Sequence, residues 1–156
     1  AIDIHERVTG NRPLGWYLGR CSPNSHRLVA EEGGFVYNAD SYADDLPYWD
    51  LSFDTPQLMV PYTLDVNDMR FATAQGFNTG KQFYRYLKDT FRTLHDEGGR
   101  MMSVGHHCRL ACHPGRAAAV AKFIDKLSKY DEVWVKTRLY IARHWRETHP
   151  PGDGLG

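Results

Sequence analysis

The stretch "SVGHHCRLACHPGR", residues 103–116, brings three histidines and two cysteines together in a short span. An apolar run ends at Gly105, which places His107 one or two residues past a strand end. A histidine there is a candidate general acid or base, because its unperturbed pKa lies near neutrality. The competing reading is a partly buried histidine that holds a loop. A second group lies in "VPYTLDVNDMRF", where Asp65 and Asp68 stand three apart just beyond another apolar run. Carboxylates in that position can bind substrate N–H groups, or they can serve as turn formers and N-caps.

A zinc cage built from His106, His107, Cys108, Cys112 and His113 is disfavoured on geometry. Successive strand residues point to opposite faces, so His106 and His107 do not enter one site without a bulge. His113 precedes Pro114, which suits a helix entry better than a metal knuckle, and no second ligand cluster exists to complete four ligands. Arg12, Arg20 and Arg109 are candidates for carbonyl or carboxylate binding through paired N–H groups. The aromatic pairs Trp16-Tyr17 and Tyr48-Trp49 can line a pocket for a flat polar ligand, or simply pack. The sequence contains no GxSxG elbow, no phosphate-binding glycine loop and no GxGxxG.

The elements that must position these residues alternate between helix and strand signals. "IDIHERVTG" reads as the end of a helix. Ser22 and Pro23 open a second helix that closes on Gly33-Gly34. Apolar runs at 35–37, 58–62, 101–105 and 133–135 read as strands. The loop 38–57 is long enough to be functional on length alone. Phe83, Tyr86, Leu87, Thr90, Phe91 and Leu94 recur at three- and four-residue spacing in the clearest helix, ended by Gly98-Gly99. A helix begins at Pro114 with Ala118, Val120, Ala121, Ile124 and Leu127 as its inner face, and "RLYIARHWRETH" forms the last one. Strands separated by such helices indicate βα units and a parallel sheet. About four or five units are present, too few to close an eight-unit barrel. The expected architecture is therefore the second half of an α/β barrel over residues 1–149, followed by a disordered tail at 150–156.

Composition limits the function classes. Lys plus Arg and Asp plus Glu both number 19 in the 156 residues, so no net field draws nucleic acid or an anionic membrane. The basic residues are scattered rather than interleaved with stacking aromatics, which argues against single-strand binding. No apolar run approaches the roughly 20 residues that span a bilayer. Three cysteines are too few for a disulfide framework in a chain of this size, and a cytoplasmic setting is the simplest expectation.

Long strings of the sequence resemble the polysaccharide-deacetylase superfamily, and within it the allantoinase branch. These are "TGNRPLGWYLGRCSPNSHRLVAEEGGFVYNADSYADDLPYW", "VPYTLDVNDMRF" and "MMSVGHHCRLACHPGRAAAVAKFIDKL…VWVKTRLYIARHW". The similarity covers nearly all of residues 1–149 and corresponds to the C-terminal half of a family chain. It implies part of a distorted TIM-like (β/α) barrel. The family's third motif falls at "NRPLGWY", where Pro13 and Gly15 match. The fourth falls at Asp65 to Met69, with Met69 in place of Trp. The fifth, an apolar strand ending in histidine, falls at "VGHH", so His107 matches the catalytic histidine. The first two motifs, which carry an Asp pair and a His-x-x-x-His metal site, are absent, and no metal ligand is expected in this chain.

The resemblance implies hydrolysis of a cyclic amide, allantoin to allantoate, with a cyclic imide hydrolase, a metal-dependent sugar N-deacetylase or an inactive half-domain serving in assembly as alternatives. It casts His107 as the acid or base. Asp65, Asn67 and Asp68 would bind ring or ureido N–H groups, and Trp16, Tyr42 and Trp49 would shape the pocket. Arg12, Tyr17, Asp44, Asp45 and Arg109 complete the candidate substrate-binding set. The implied partners are a small cyclic amide, the N-terminal half of the same barrel, as another chain or lost, and further copies of the chain in a homo-oligomer, and no cofactor is implied.

Overall fold

A computed structural model describes residues 1–20 and 22–152; Cys21 and residues 153–156, the end of the expected tail, lie outside the described residues. The chain divides into two compact units, one formed by residues 1–62 with those from 136 onward, the other by residues 63–135.

The first unit carries a four-stranded sheet in the order β1-β2-β4-β3. Strands β1 (Gly15–Trp16), β2 (Tyr37–Asn38) and β4 (Gln57–Met59) run parallel, while β3 (Tyr48–Asp50) lies antiparallel on the edge beside β4. Strand β4 is buried throughout and continues into buried Val60 and Pro61, the near-continuous apolar run that a covered parallel strand requires. The segment 38–57, expected as one long loop, folds back instead: Trp49 faces Leu58 and Tyr48 faces Met59 across the β3–β4 pair. Two adjacent aromatics, Tyr48 and Trp49, with all three residues half-buried, suit an edge strand. A Cβ on Gly15 would stand 2.1 Å from the Tyr37 ring, so a side chain there would require that ring to move.

Helices α1 (Ile2–Thr9), α2 (Ser25–Glu32) and α6 (Arg138–Thr148) belong to this unit. Helix α2 starts later than Ser22 suggests, with Asn24 at the N-cap, and it ends as expected on Gly33 at φ 73°. Arg146 of α6 donates to the Val36 carbonyl at 3.1 Å, which ties the helix to the entry of β2.

The second unit is built on helix α3 (Gly80–Asp96) against α5 (Pro114–Leu127), with the four-residue α4 (Cys108–Ala111) before it. Thr79 and Gln82 form a full capping box at the start of α3. Phe83, Leu87, Phe91 and Leu94 face inward as their spacing requires. Phe83, Leu87 and Phe91 make the core with Val66, Phe77 and Phe123. Helix α5 is rotated from the expected face: Ala119 and Phe123 are buried and Ile124 is 58% exposed. Phe123 is the largest apolar side chain on α5, and turning it onto Phe91 (centroids 6.2 Å) removes the most apolar area from water. The two helices approach closely where Gly80 meets Gly115; a Cβ on Gly80 would lie 2.3 Å from the Gly115 carbonyl oxygen.

The runs at 101–105 and 133–135 are not ladder strands. Residues 133–135 carry no strand pairing. The first run makes one parallel bridge, Asn67 to Gly105, with Gly105 N–H donating to Val66 O at 2.9 Å and Asp68 N–H to Gly105 O at 3.1 Å. Apolar composition does not supply what a ladder needs, a neighbour in register along its length, and Val135 stays 71% exposed.

Candidate active site

The bridge at Gly105 decides where the chemistry lies in the second unit. Asn67 caps a short 3₁₀ turn, Asp68–Phe71, by accepting from Met69 N–H at 2.8 Å. That turn directs the Asp68 side chain at the segment leaving Gly105. Asp68 is fully buried, and both of its oxygens are used by one residue. Its Oδ2 accepts the His107 backbone N–H at 2.8 Å, and its Oδ1 lies 2.7 Å from His107 Nδ1. A carboxylate can only accept, so Nδ1 carries the proton and Nε2 of the neutral ring presents a lone pair. The imidazole is about one-third exposed while its carboxylate has no exposure. A buried orienting acid with a solvent-facing imidazole is the arrangement that general acid–base catalysis uses.

Asp65, three residues earlier, is placed differently. It is exposed and accepts the Tyr86 hydroxyl of α3 in a short hydrogen bond, which pushes the Tyr86 pKa up. The two aspartates therefore do not form a pair. His106 stands edge-on to Phe83 (6.2 Å), and burial lowers its pKa against the opposing pull of the Asp68 charge. Arg109 lies on α4, exposed, with Met69 Sδ at 3.6 Å. A cleft of about 290 Å³ between Arg70, Phe77, Gln82 and Tyr86 includes neither Asp68 nor His107.

In the first unit a different carboxylate organises the ends of the parallel strands. Asp40, buried just past β2, accepts Leu18 N–H at 2.9 Å, Gly19 N–H at 2.8 Å and Trp16 Nε1–H at 3.0 Å. Its own carbonyl lies 2.9 Å from His26 Nε2. Sequence reading passes over Asp40; the one available signal is an aspartate immediately after an apolar strand, facing a Gly-containing loop. Trp16 is thereby turned onto Asp40 and packs edge-on to Phe35. Arg12 is engaged by Glu32 and lies over Phe35. Asp44 folds back on the backbone N–H groups of Asp45 and Leu46, an Asx turn, which also holds Asp45 in the bend. Trp49 donates to the His149 carbonyl at 2.7 Å, with Arg146 over its ring. Tyr17 and Tyr42 both pack on Tyr62, Tyr17 stacked (5.5 Å) and Tyr42 edge-on (6.1 Å), and both remain more than 40% exposed.

Among the described residues, no group of three His, Cys, Asp or Glu side chains could hold a metal ion. Likewise, no helix among the described residues is long and apolar enough to cross a membrane.

Comparison with known proteins agrees with this fold. No family model matches the chain. A Schizosaccharomyces pombe protein named for the polysaccharide deacetylases is 38% identical over 160 aligned residues, covering 91% of this chain and 50% of its own length. A crystal structure from Pseudomonas aeruginosa PAO1, named for the same deacetylases, superposes at TM-score 0.91 with 53% identity, over 96% of this chain and 51% of that one. Another, from Mycobacterium smegmatis, superposes at 0.82 with 26% identity, over 94% and 54%. The chain belongs to the polysaccharide-deacetylase superfamily and has part of its TIM-like α/β fold. Within that superfamily it is similar to PuuE allantoinase, whose crystal structure matches at TM-score 0.90 and 52% identity over 96% of this chain and 51% of that one. The chain thus spans about half the length of the relatives it matches.

Proposed function

We propose that this chain contributes the His107 half of the active site of a cytoplasmic amidohydrolase that opens a cyclic amide, with allantoin as the substrate. The observation that carries the reading is the Asp68–His107 pair: a buried carboxylate fixes the tautomer of an accessible imidazole. The 52% identity to PuuE allantoinase supports the choice of substrate. Ring opening requires a base for water, donors for the developing oxyanion and an acid for the departing ring nitrogen. Neutral His107 takes a proton from the attacking water at Nε2, and Asp68 stabilises the imidazolium that results. The imidazolium then returns the proton to the ring nitrogen as the C–N bond breaks. The remaining groups come from the N-terminal half of the same barrel, in an assembly of identical copies.

The test is incubation of the full-length protein containing this chain with allantoin, succinimide and an acetylated chitooligomer. Allantoin opening, lowered by a factor of roughly 10²–10⁴ in His107→Ala, is expected. Turnover of the chitooligomer alone would replace this reading with sugar deacetylation, and unchanged turnover in His107→Ala would overturn the role of His107.

A further inference from the structure

Two buried amides of the first unit each use one end and leave the other without a hydrogen-bond partner among the described residues: Asn38 Nδ2 and Gln57 Oε1. Asn38 is 1% exposed and Gln57 8%. The bonded ends fix how each amide is turned. Asn38 Oδ1 accepts the Asp40 backbone N–H at 2.9 Å, and Gln57 Nε2 donates to the His26 carbonyl at 2.9 Å. Exchanging oxygen and nitrogen would set donor against donor in the first and acceptor against acceptor in the second. The two unpartnered atoms are therefore one donor and one acceptor.

Both residues line one small cavity. Asn38 of β2 pairs in register with Met59 of β4, and Gln57, two residues before Met59, stands on the same face of the sheet. The cavity, about 60 Å³, lies between these two residues, Pro56, and Val29 and Ala30 of α2. A buried donor and a buried acceptor each forfeit a hydrogen bond unless something small supplies the complement. That molecule must accept at one end, donate at the other and fit the space. Water does both, and its share of liquid volume is about 30 Å³, so the cavity has room for about two molecules.

We infer that the space between β2, β4 and α2 is an internal water-binding site, in which bound water accepts from Asn38 Nδ2–H and donates to Gln57 Oε1. The site bears on the strand ends as well. Asn38 holds the Asp40 backbone, and the Asp40 carboxylate gathers the N–H groups of Leu18 and Gly19. Water on Nδ2 thus secures the free end of the amide that sets Asp40. The site lies wholly within the first unit and stands independently of the proposed ring-opening reaction.

The experiment is a crystal structure of the full-length protein containing this chain, at a resolution that shows ordered water, beside an NMR measurement in solution. The expected result is water within about 3.2 Å of Asn38 Nδ2 and of Gln57 Oε1, as one bridging molecule or two in contact. A cavity without density, one filled by a protein side chain, or any occupant other than water overturns the inference. In solution, isotope-labelled asparagine reports the contact of each side-chain amide with water. The Asn38 signal, identified by its loss in Asn38→Ser, should show a water contact far longer-lived than that of exposed Asn11. Gln57→Met removes the acceptor and should shorten that contact roughly severalfold. If Gln57→Met does not fold, the comparison of Asn38 with Asn11 in the unsubstituted protein decides. Equal lifetimes at Asn38 and Asn11 overturn the site, as does a contact that Gln57→Met leaves unchanged.

Discussion

Asp68 and His107 are 39 residues apart, yet they meet twice: Oδ2 takes the His107 backbone N–H and Oδ1 faces its Nδ1 at 2.7 Å. One carboxylate thus fixes both where His107 lies along the chain and how its ring is turned. Activity and local structure are therefore coupled through Asp68, whereas His107 can be trimmed at its ring without touching the backbone bond.

Asp68→Asn separates these roles. The amide can still accept one hydrogen bond, but its NH₂ cannot accept the other and no longer balances an imidazolium. Turnover should drop by roughly 10² or more, and stability by about 1–3 kcal/mol, because a buried donor loses its charged partner. His107→Ala should lose comparable or greater turnover with nearly unchanged thermal stability. Chemical denaturation beside steady-state kinetics on both variants checks the split.

Asp40 answers to stability rather than to proton transfer. Removing its carboxylate in Asp40→Ala strands the N–H groups of Leu18, Gly19 and the Trp16 indole at once. The cost should be about 2–4 kcal/mol in denaturant unfolding, and Trp16 fluorescence should change with it.

The α3–α5 contact depends on the absence of a side chain. Gly80→Ala would press a methyl onto the Gly115 carbonyl at 2.3 Å. The helices must part, at about 1–3 kcal/mol, while Gly115→Ala, whose Cβ meets nothing within 4 Å, should be close to neutral in packing. Melting curves of the two variants should differ in that order.

His95 on α3 reports on pH. Its pKa is raised, chiefly by the Glu132 carboxylate at 2.9 Å and further by Asp96, and Glu132 is lowered by its own backbone N–H first and by His95 second. A base with a raised folded-state pKa adds stability that is fully present below its unfolded value, near 6.5, and that fades as pH rises through the folded value. NMR titration should place His95 above 6.5, and Glu132→Gln should move it back toward 6.5. A titration midpoint unaffected by Glu132→Gln would show that the contact does not form in solution. The same spectrum should place His106 below its ordinary value, because burial disfavours its charged form.

Much of this was written in local sequence. The α3 periodicity, its Gly98-Gly99 end and Pro114 at the first turn of α5 all appear as their residues imply, because capping and burial of one helix face act over a few residues. His107 was legible for a similar reason: an apolar run that ends in a histidine has few ways to place it. The family strings were legible too, since they need only residue order. The runs at 101–105 and 133–135 misled, because apolar composition cannot say whether a neighbouring strand lies alongside.

Sequence alone could not choose between Asp65 and Asp68. Both sit in one turn with the same side chain, and only the 3₁₀ bend and the single bridge at Gly105 bury one against His107 and leave the other on the surface with Tyr86. Nor could it single out Asp40 among the carboxylates of the chain. Its role rests on Leu18, 22 positions away, and a contact across that separation exists only once the strands have been brought together. Local residue pattern determined the helices, the histidine and the family; which charged groups are buried against protein partners and which stay exposed was decided by the tertiary structure, because burial and pairing are properties of distant segments meeting.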